Sequence, residues 1–307
     1  TFVCALGTHG ALTMADFRKK LSSDLIEKYR VFNHNIYENC VEVGETKRGT
    51  KVMFNREVME ADLKVAIGGV TPHVQAGYSG GGKLILPGIA HIDTLAHYHL
   101  EVEAMGKETT GMGCHAGNIL REEINEAAAM AGVDFIVNVV VNGRGDTTGV
   151  FAGDLYQAHD AAVVKARQIY KTEPRPRDKD LVIANAFSKP NEMGIAILIG
   201  ASALKNLVGT VVVIANSPEG QVPHYLLDRF GTNYGGRQYP VAEIPETVQL
   251  LIITEYPDRT LADWFSNPEK AIIKRSWREA LQIIRPNHGP DTQVAILPNA
   301  TMQYFSE

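Results

Sequence analysis

The sequence predicts an α/β protein of two domains, the second with a mainly parallel sheet flanked by helices. Three observations lead there. Beyond residue 180, "LVIANA", "GTVVVIAN", "VQLLIIT" and "TQVAILPN" are four apolar runs separated by helical stretches, and that alternation is the pattern of a parallel sheet buried on both faces. The stretch "KTEPRPRDKD", Lys171–Asp180, is charged, proline-containing and aperiodic, which marks a boundary between domains at 1–172 and 179–307. Earlier, the compact strand "LKVAIGG" runs straight into "VTPHVQAGYSGGGK", and strand-end loops are where α/β proteins build their sites. A chain of 307 residues has the length for two such cores.

The elements follow in order. Phe2–Leu6 reads as a strand, and Thr13 with Asp16 forms a capping box opening a helix through about Leu21. Helical patterns return at about Ile92–Ala104 and Asn118–Ala131. "VDFIVNVVVNGRGDTTGVF" reads as a hairpin turning at Asn142–Asp146, so its Arg-Gly-Asp is turn chemistry. "TFVCALGTHG" opens inside a strand without an initiator methionine, and we expect residues to precede it.

Composition narrows the function. Hydrophobic residues make up 45% and charged residues 21%, values of an ordinary globular protein. A net charge of -5 offers no basic field for nucleic acid and leaves a small molecule as the expected ligand. Three cysteines, Cys4, Cys40 and Cys114, stand at unrelated spacings, which suits a reducing compartment such as the cytoplasm. No apolar run reaches the roughly 18 residues of a membrane span.

Gly77, four residues, Gly82 and Lys83 fit the phosphate-loop template. That template also needs Ser or Thr after the lysine and a helix starting there. Leu84 follows instead, then Pro87 and Gly88, and a proline inside a helix costs about 3 kcal/mol. The residues leave a phosphate binder, a plain glycine-rich turn and a lysine beside a ligand all open.

The histidines add to this. His9 and His73 lie in loops that follow strands. If Ile92–Ala104 is helical, Ile92, Leu95, Ala96, His99 and Val102 share one inward face, and His97 lies about 200° away. A buried imidazole near a glycine loop and a lysine can ligate nickel, copper or zinc.

"GTHG" before a helix, then "TPHVQAGYSGGGKLILPGI", then a histidine sixteen positions after the lysine together resemble the lactate racemase family that uses the nickel-pincer nucleotide. The resemblance covers most of the chain and is clearest in the first 100 residues. It implies that Lys83 carries the cofactor, a pyridinium-3-thioamide-5-thiocarboxylic acid mononucleotide with nickel, that His99 is the protein ligand to nickel, and that Tyr78, Ser79, Gly80 and Gly81 lie against the cofactor. It implies His9 and His73 as paired acid/base groups. The first domain would then bind the cofactor and hold the catalytic groups. The reaction implied is racemisation or epimerisation of a 2-hydroxy acid by hydride transfer, with one imidazole serving the hydroxyl proton of each enantiomer. The implied partners are that small substrate and the proteins that make the cofactor.

Trp277 in "KRSWREALQII" resembles a tryptophan the family places near the substrate, although an amphipathic helix burying its indole explains it equally, and Trp264 competes. The family's Asp and Arg-Pro motif before "GTH" has no counterpart here. Where relatives acting on lactate present a glutamine and a lysine, this chain offers Ala196 and Ile199, so a different 2-hydroxy acid is expected, held by Asn185, Lys189, Asn191, Glu192 or Lys205. The alternatives are a phosphate-loop-like nucleotide binder and a non-catalytic carrier of the pincer cofactor.

Overall fold

The computed structural model describes residues 1–226 and 242–305. The chain forms two units, Thr1–Ile169 and Tyr170–Glu307.

In the first unit, β1 (Phe2–Cys4) pairs in parallel with β2 (Val31–Asn33), with α1 (Met14–Lys20) and α2 (Ser23–Lys28) between them. The Thr13–Asp16 capping box is present on α1. The strands β3 (Cys40–Glu45) and β4 (Lys51–Asn55) form a hairpin, followed by α3 (Arg56–Met59). A three-stranded sheet then assembles from β5 (Val65–Gly69), β8 (Phe135–Val141) and β9 (Thr147–Gly153), with β5 parallel and β9 antiparallel to β8. Between β5 and β8 the chain makes the two-residue strands β6 (Pro72–His73) and β7 (Gly77–Tyr78), the helix α4 (Ile92–His97) and the helix α5 (Ile119–Met130). The helix α6 (Gln157–Tyr170) follows β9. The hairpin turn closes through Asn142 N–H to the Asp146 carbonyl, as its sequence required.

The second helical pattern keeps its expected bounds, with residues 92–104 wound throughout, but the winding is not uniform. The helix α4 stops at His97, and Tyr98–Val102 is one π-helical turn. Such a turn inserts an extra residue into the winding and is frequent at functional sites. His99 nevertheless faces inward, with 6% of its surface exposed.

The second unit is a five-stranded, wholly parallel sheet. Its order is β13 (Ile272–Lys274), β12 (Val248–Ile253), β11 (Gly209–Ile214), β10 (Leu181–Asn185), β14 (Val294–Leu297). Helix α7 (Met193–Ala201) covers one face, where Val182, Ala184, Val211, Val213, Leu250 and Ile252 point. Helix α8 (Trp277–Ile284) covers the other, over Leu181, Val212 and Leu251. Both faces being buried explains the unbroken apolar runs. The sequence reading missed β13, whose three residues are too short for any periodicity.

Three of the sequence expectations for this unit are placed differently. Ala196 lies in the α7 core with no exposed surface, so it faces no ligand. Trp277 shares a face of α8 with Ala280 and Ile284 yet keeps 39% of its surface exposed, so the helix does not bury its indole. Trp264 packs over Gly194 instead. The strand order reverses between β10 and β14, and a crevice beyond the carboxyl ends of such strands is where open α/β sheets bind ligands. Asn185 ends β10 and Lys189 pairs with Glu192 just beyond it at 3.9 Å, whereas Lys205 lies next to Val208, before β11 begins.

Candidate active site

The site is built on the loop after β5. Gly69 ends that strand, and Ser79 Oγ donates to its carbonyl at 2.8 Å while Thr71 N–H donates to Ser79 Oγ at 2.9 Å. From α5, the buried Arg121 guanidinium donates to the carbonyls of Ala76 at 3.3 Å, Gly80 at 3.5 Å and Tyr78. From α6, His159 Nε2 donates to the Ser79 carbonyl at 2.9 Å. Gly81 N–H donates to Asn138 Oδ1 of β8 at 3.0 Å. Four carbonyls in a stretch of five residues are thus gripped by side chains from outside the loop. This loop is shaped by its surroundings.

The glycine run has a different reason from the one the resemblance supplied. A Cβ at Gly81, where φ is +57°, would lie 2.7 Å from the His159 ring, and one at Gly80, where φ is +75°, would lie 2.6 Å from Val70. The space a side chain needs at both positions is filled by protein. Tyr78 has no exposed surface and meets His115 edge-on. Ser79 is part-exposed, with its hydroxyl spent on Thr71 and Gly69.

After Gly80 the chain turns through a single 3-10 turn, Gly81–Leu84, and no α-helix begins at Lys83. The geometry of a phosphate loop is absent there. What Lys83 meets is His73, with Nζ at 3.1 Å from Nε2.

The backbone fixes the state of that contact. His73 Nδ1 accepts from Gln75 N–H at 3.2 Å and from Ala76 N–H at 3.1 Å. A ring nitrogen that accepts carries no proton, so neutral His73 holds its proton on Nε2. An uncharged Nζ, the nucleophilic form of a lysine, can accept from that Nε2–H across the 3.1 Å contact.

His99 sits below. Burial holds its imidazole far under the usual range, to about 3, and positive charge on Lys83 or His9 pushes the same way. It is a neutral imidazole with a lone pair at any ordinary pH. Gln75 Nε2 lies 3.4 Å from its Nδ1 and donates to Glu103 Oε2 at 2.6 Å. Its neighbour Tyr98 packs edge-on, with ring centroids 4.7 Å apart.

His9 is exposed at the end of the first strand's loop. That loop is stitched to the segment after Lys83, with Gly7 N–H donating to the Gly88 carbonyl at 2.9 Å. A Cβ at Gly88 would fall 2.1 Å from the Leu84 carbonyl oxygen. The structure therefore gathers His9, His73, Lys83 and His99 in one unit. Sequence reasoning missed Gln75, Glu103, Arg121, Asn138 and His159, which hold that group in shape. A signal existed for Arg121: at about 100° per residue it falls on the stripe of Leu120, Ile124 and Ala128, an odd place for a charge.

The comparisons fit this geometry. Residues 1–112 match the model of the lactate racemase N-terminal domain. The lactate racemase of Thermoanaerobacterium thermosaccharolyticum is 28% identical over 270 residues, 84% of this chain and 59% of the relative. That of Lactiplantibacillus plantarum is 28% identical over 223 residues, 70% of this chain and 52% of the relative. The chain spans a little over half the length of both. In fold it is similar to the lactate racemase apoprotein of T. thermosaccharolyticum, with a TM-score of 0.76 and 23% identity over 99% of this chain and 78% of that one. A Thermotoga maritima protein follows at 0.67 and 16%, covering 99% and 85%. Among the described residues no helix is long and apolar enough to cross a membrane.

Proposed function

We propose that this chain is a racemase or epimerase of a 2-hydroxy acid that depends on a nickel-pincer nucleotide joined to Lys83. The observation that carries the reading is the His73–Lys83 contact, because it sets the lysine amine against an imidazole within the residues that match the lactate racemase N-terminal domain. The residues fit the group. Lys83 supplies the nucleophile for a covalent bond, and His99, kept neutral by burial, supplies the borderline nitrogen donor that nickel takes. When bound, the nucleotide supplies an electrophilic hydride acceptor beside the metal.

The protein's own residues do the rest. Once Nζ is taken up in a covalent bond, Nε2 of His73 loses the acceptor it has here and turns to the substrate hydroxyl, where it takes or returns a proton. For Nε2 to take that proton the ring proton must sit on Nδ1, so the two backbone N–H contacts to Nδ1 are given up in the form that acts as base. His9, on the other loop, serves the opposite enantiomer. We place the protein in the cytoplasm, where its three free thiols stay reduced.

Intact mass of the full chain, made together with the cofactor's biosynthetic proteins, tests this. A mass gain on Lys83 with bound nickel, and interconversion of an enantiopure 2-hydroxy acid, are the expected results. A sample that turns over with Lys83 bare would sink the proposal, and an adduct without turnover on any 2-hydroxy acid would leave a cofactor carrier in its place.

A further inference from the structure

Three side chains outside this site converge. One ring nitrogen each of His115 and His159 and a carboxylate oxygen of Asp160 all lie within 4.8 Å of one another. His159 and Asp160 are neighbours on α6, and His115 arrives from the loop before α5.

Their hydrogen bonds fix where the protons are. The Asp160 carboxylate and the Ser79 carbonyl only accept, so His115 Nε2–H donates to Asp160 Oδ1 at 2.8 Å and His159 Nε2–H donates to Ser79 at 2.9 Å. In both neutral rings Nδ1 is therefore a bare lone pair. The one on His115 is buried and has no partner. A buried acceptor left unmet costs about 1–3 kcal/mol, and such an atom in a native fold points to a group that is missing.

The environment keeps both rings uncharged. Burial lowers the His115 and His159 imidazoles, the latter to about 3, and the Arg121 cation adds to the effect. Two imidazoles that each give their other N–H to a carboxylate or a carbonyl are arranged as metal-ligating histidines are. Arg121 opposes a cation, but its guanidinium is turned to the carbonyls of the Lys83 loop. The ionised Asp160 offsets its charge.

We propose that His115, His159 and Asp160 form a second metal site, for a borderline divalent ion of the zinc, cobalt or nickel class. Two nitrogens and one carboxylate favour these ions over calcium or magnesium, which take oxygen shells. Ligand atoms around a tetrahedral ion sit about 3.3 Å apart, and the exposed Asp160 side chain reaches an ion at the Nδ1 atoms by leaving its bond to His115 Nε2–H. Because His159 also grips the Ser79 carbonyl, an ion here stiffens the loop that carries Lys83.

Cobalt(II) titration of the full chain, made without cofactor and followed by visible absorption, tests the site. His99→Gln should retain one saturable cobalt with tetrahedral bands, since His99 is not a ligand to it. His115→Gln and Asp160→Asn, both folded by circular dichroism, should each weaken that cobalt more than about 10-fold, and the double variant should lack it. A His99→Gln chain that binds no cobalt, or a double variant that binds it unchanged, overturns the proposal.

Discussion

The Lys83 loop and the five-stranded sheet are both buried structures, and they are held in opposite ways. In the sheet the backbone bonds to itself through a continuous ladder, and alternate side chains fill two apolar layers. In the loop, carbonyls at 76, 78, 79 and 80 are met by an arginine and a histidine, and an amide is met by an asparagine. The sheet draws on non-directional burial, whereas the loop draws on directed bonds that must each be present. Chemistry that needs one amine in one place belongs on the second kind of support.

That contrast can be broken at its ends. Lys83→Arg keeps the charge and removes the nucleophile, so the adduct should vanish and racemisation fall by more than about 1000-fold, as read by intact mass and by loss of turnover. Leu251→Ala, at a fully buried sheet position, should cost about 2–5 kcal/mol. Hydrogen exchange should place that loss in the second unit, with Lys83 modified as before. Arg121→Met should do the reverse, costing about 1–3 kcal/mol for each carbonyl stranded and slowing Lys83 modification while the sheet exchanges as in the parent.

Smaller effects sharpen it. Gln75→Leu removes the amide between His99 and Glu103 and should weaken nickel retention by about 10- to 100-fold without preventing the adduct. Acid should act on the first unit. His99 and His159 both have folded values near 3, well below the unfolded value of about 6.5, so the unfolded state binds more protons between those limits. Stability is full above about pH 6.5 and falls with pH through the window, by up to about 1.4 kcal/mol per pH unit for each histidine. Chemical denaturation at pH 7, 5.5 and 4.5 should show this slope, and His159→Asn should remove about half of it.

What the sequence revealed follows the same division. The four long strands of the sheet were legible because two-sided burial writes itself as an apolar run, and β13 was lost only for its brevity. The motif residues His9, His73, Lys83 and His99 stood out through a resemblance to family motifs, and all four fall in the first unit. Their supports were not, because Arg121, Asn138 and His159 act across 41, 57 and 80 positions of sequence, and nothing local marks a side chain for a distant carbonyl. The π-helical turn at Tyr98–Val102 was equally hidden, since one extra residue in a winding leaves the inward placement of His99 intact.

The bond from Gly7 to Gly88 has its own consequence. It joins the His9 loop to the segment behind Lys83 backbone to backbone, with Ala5 and Pro87 packed beside it. The approach of those two segments is therefore set by a main-chain bond that a side-chain substitution does not remove. A relative adapting to a bulkier substrate must find its room elsewhere in the protein or rebuild both loops together.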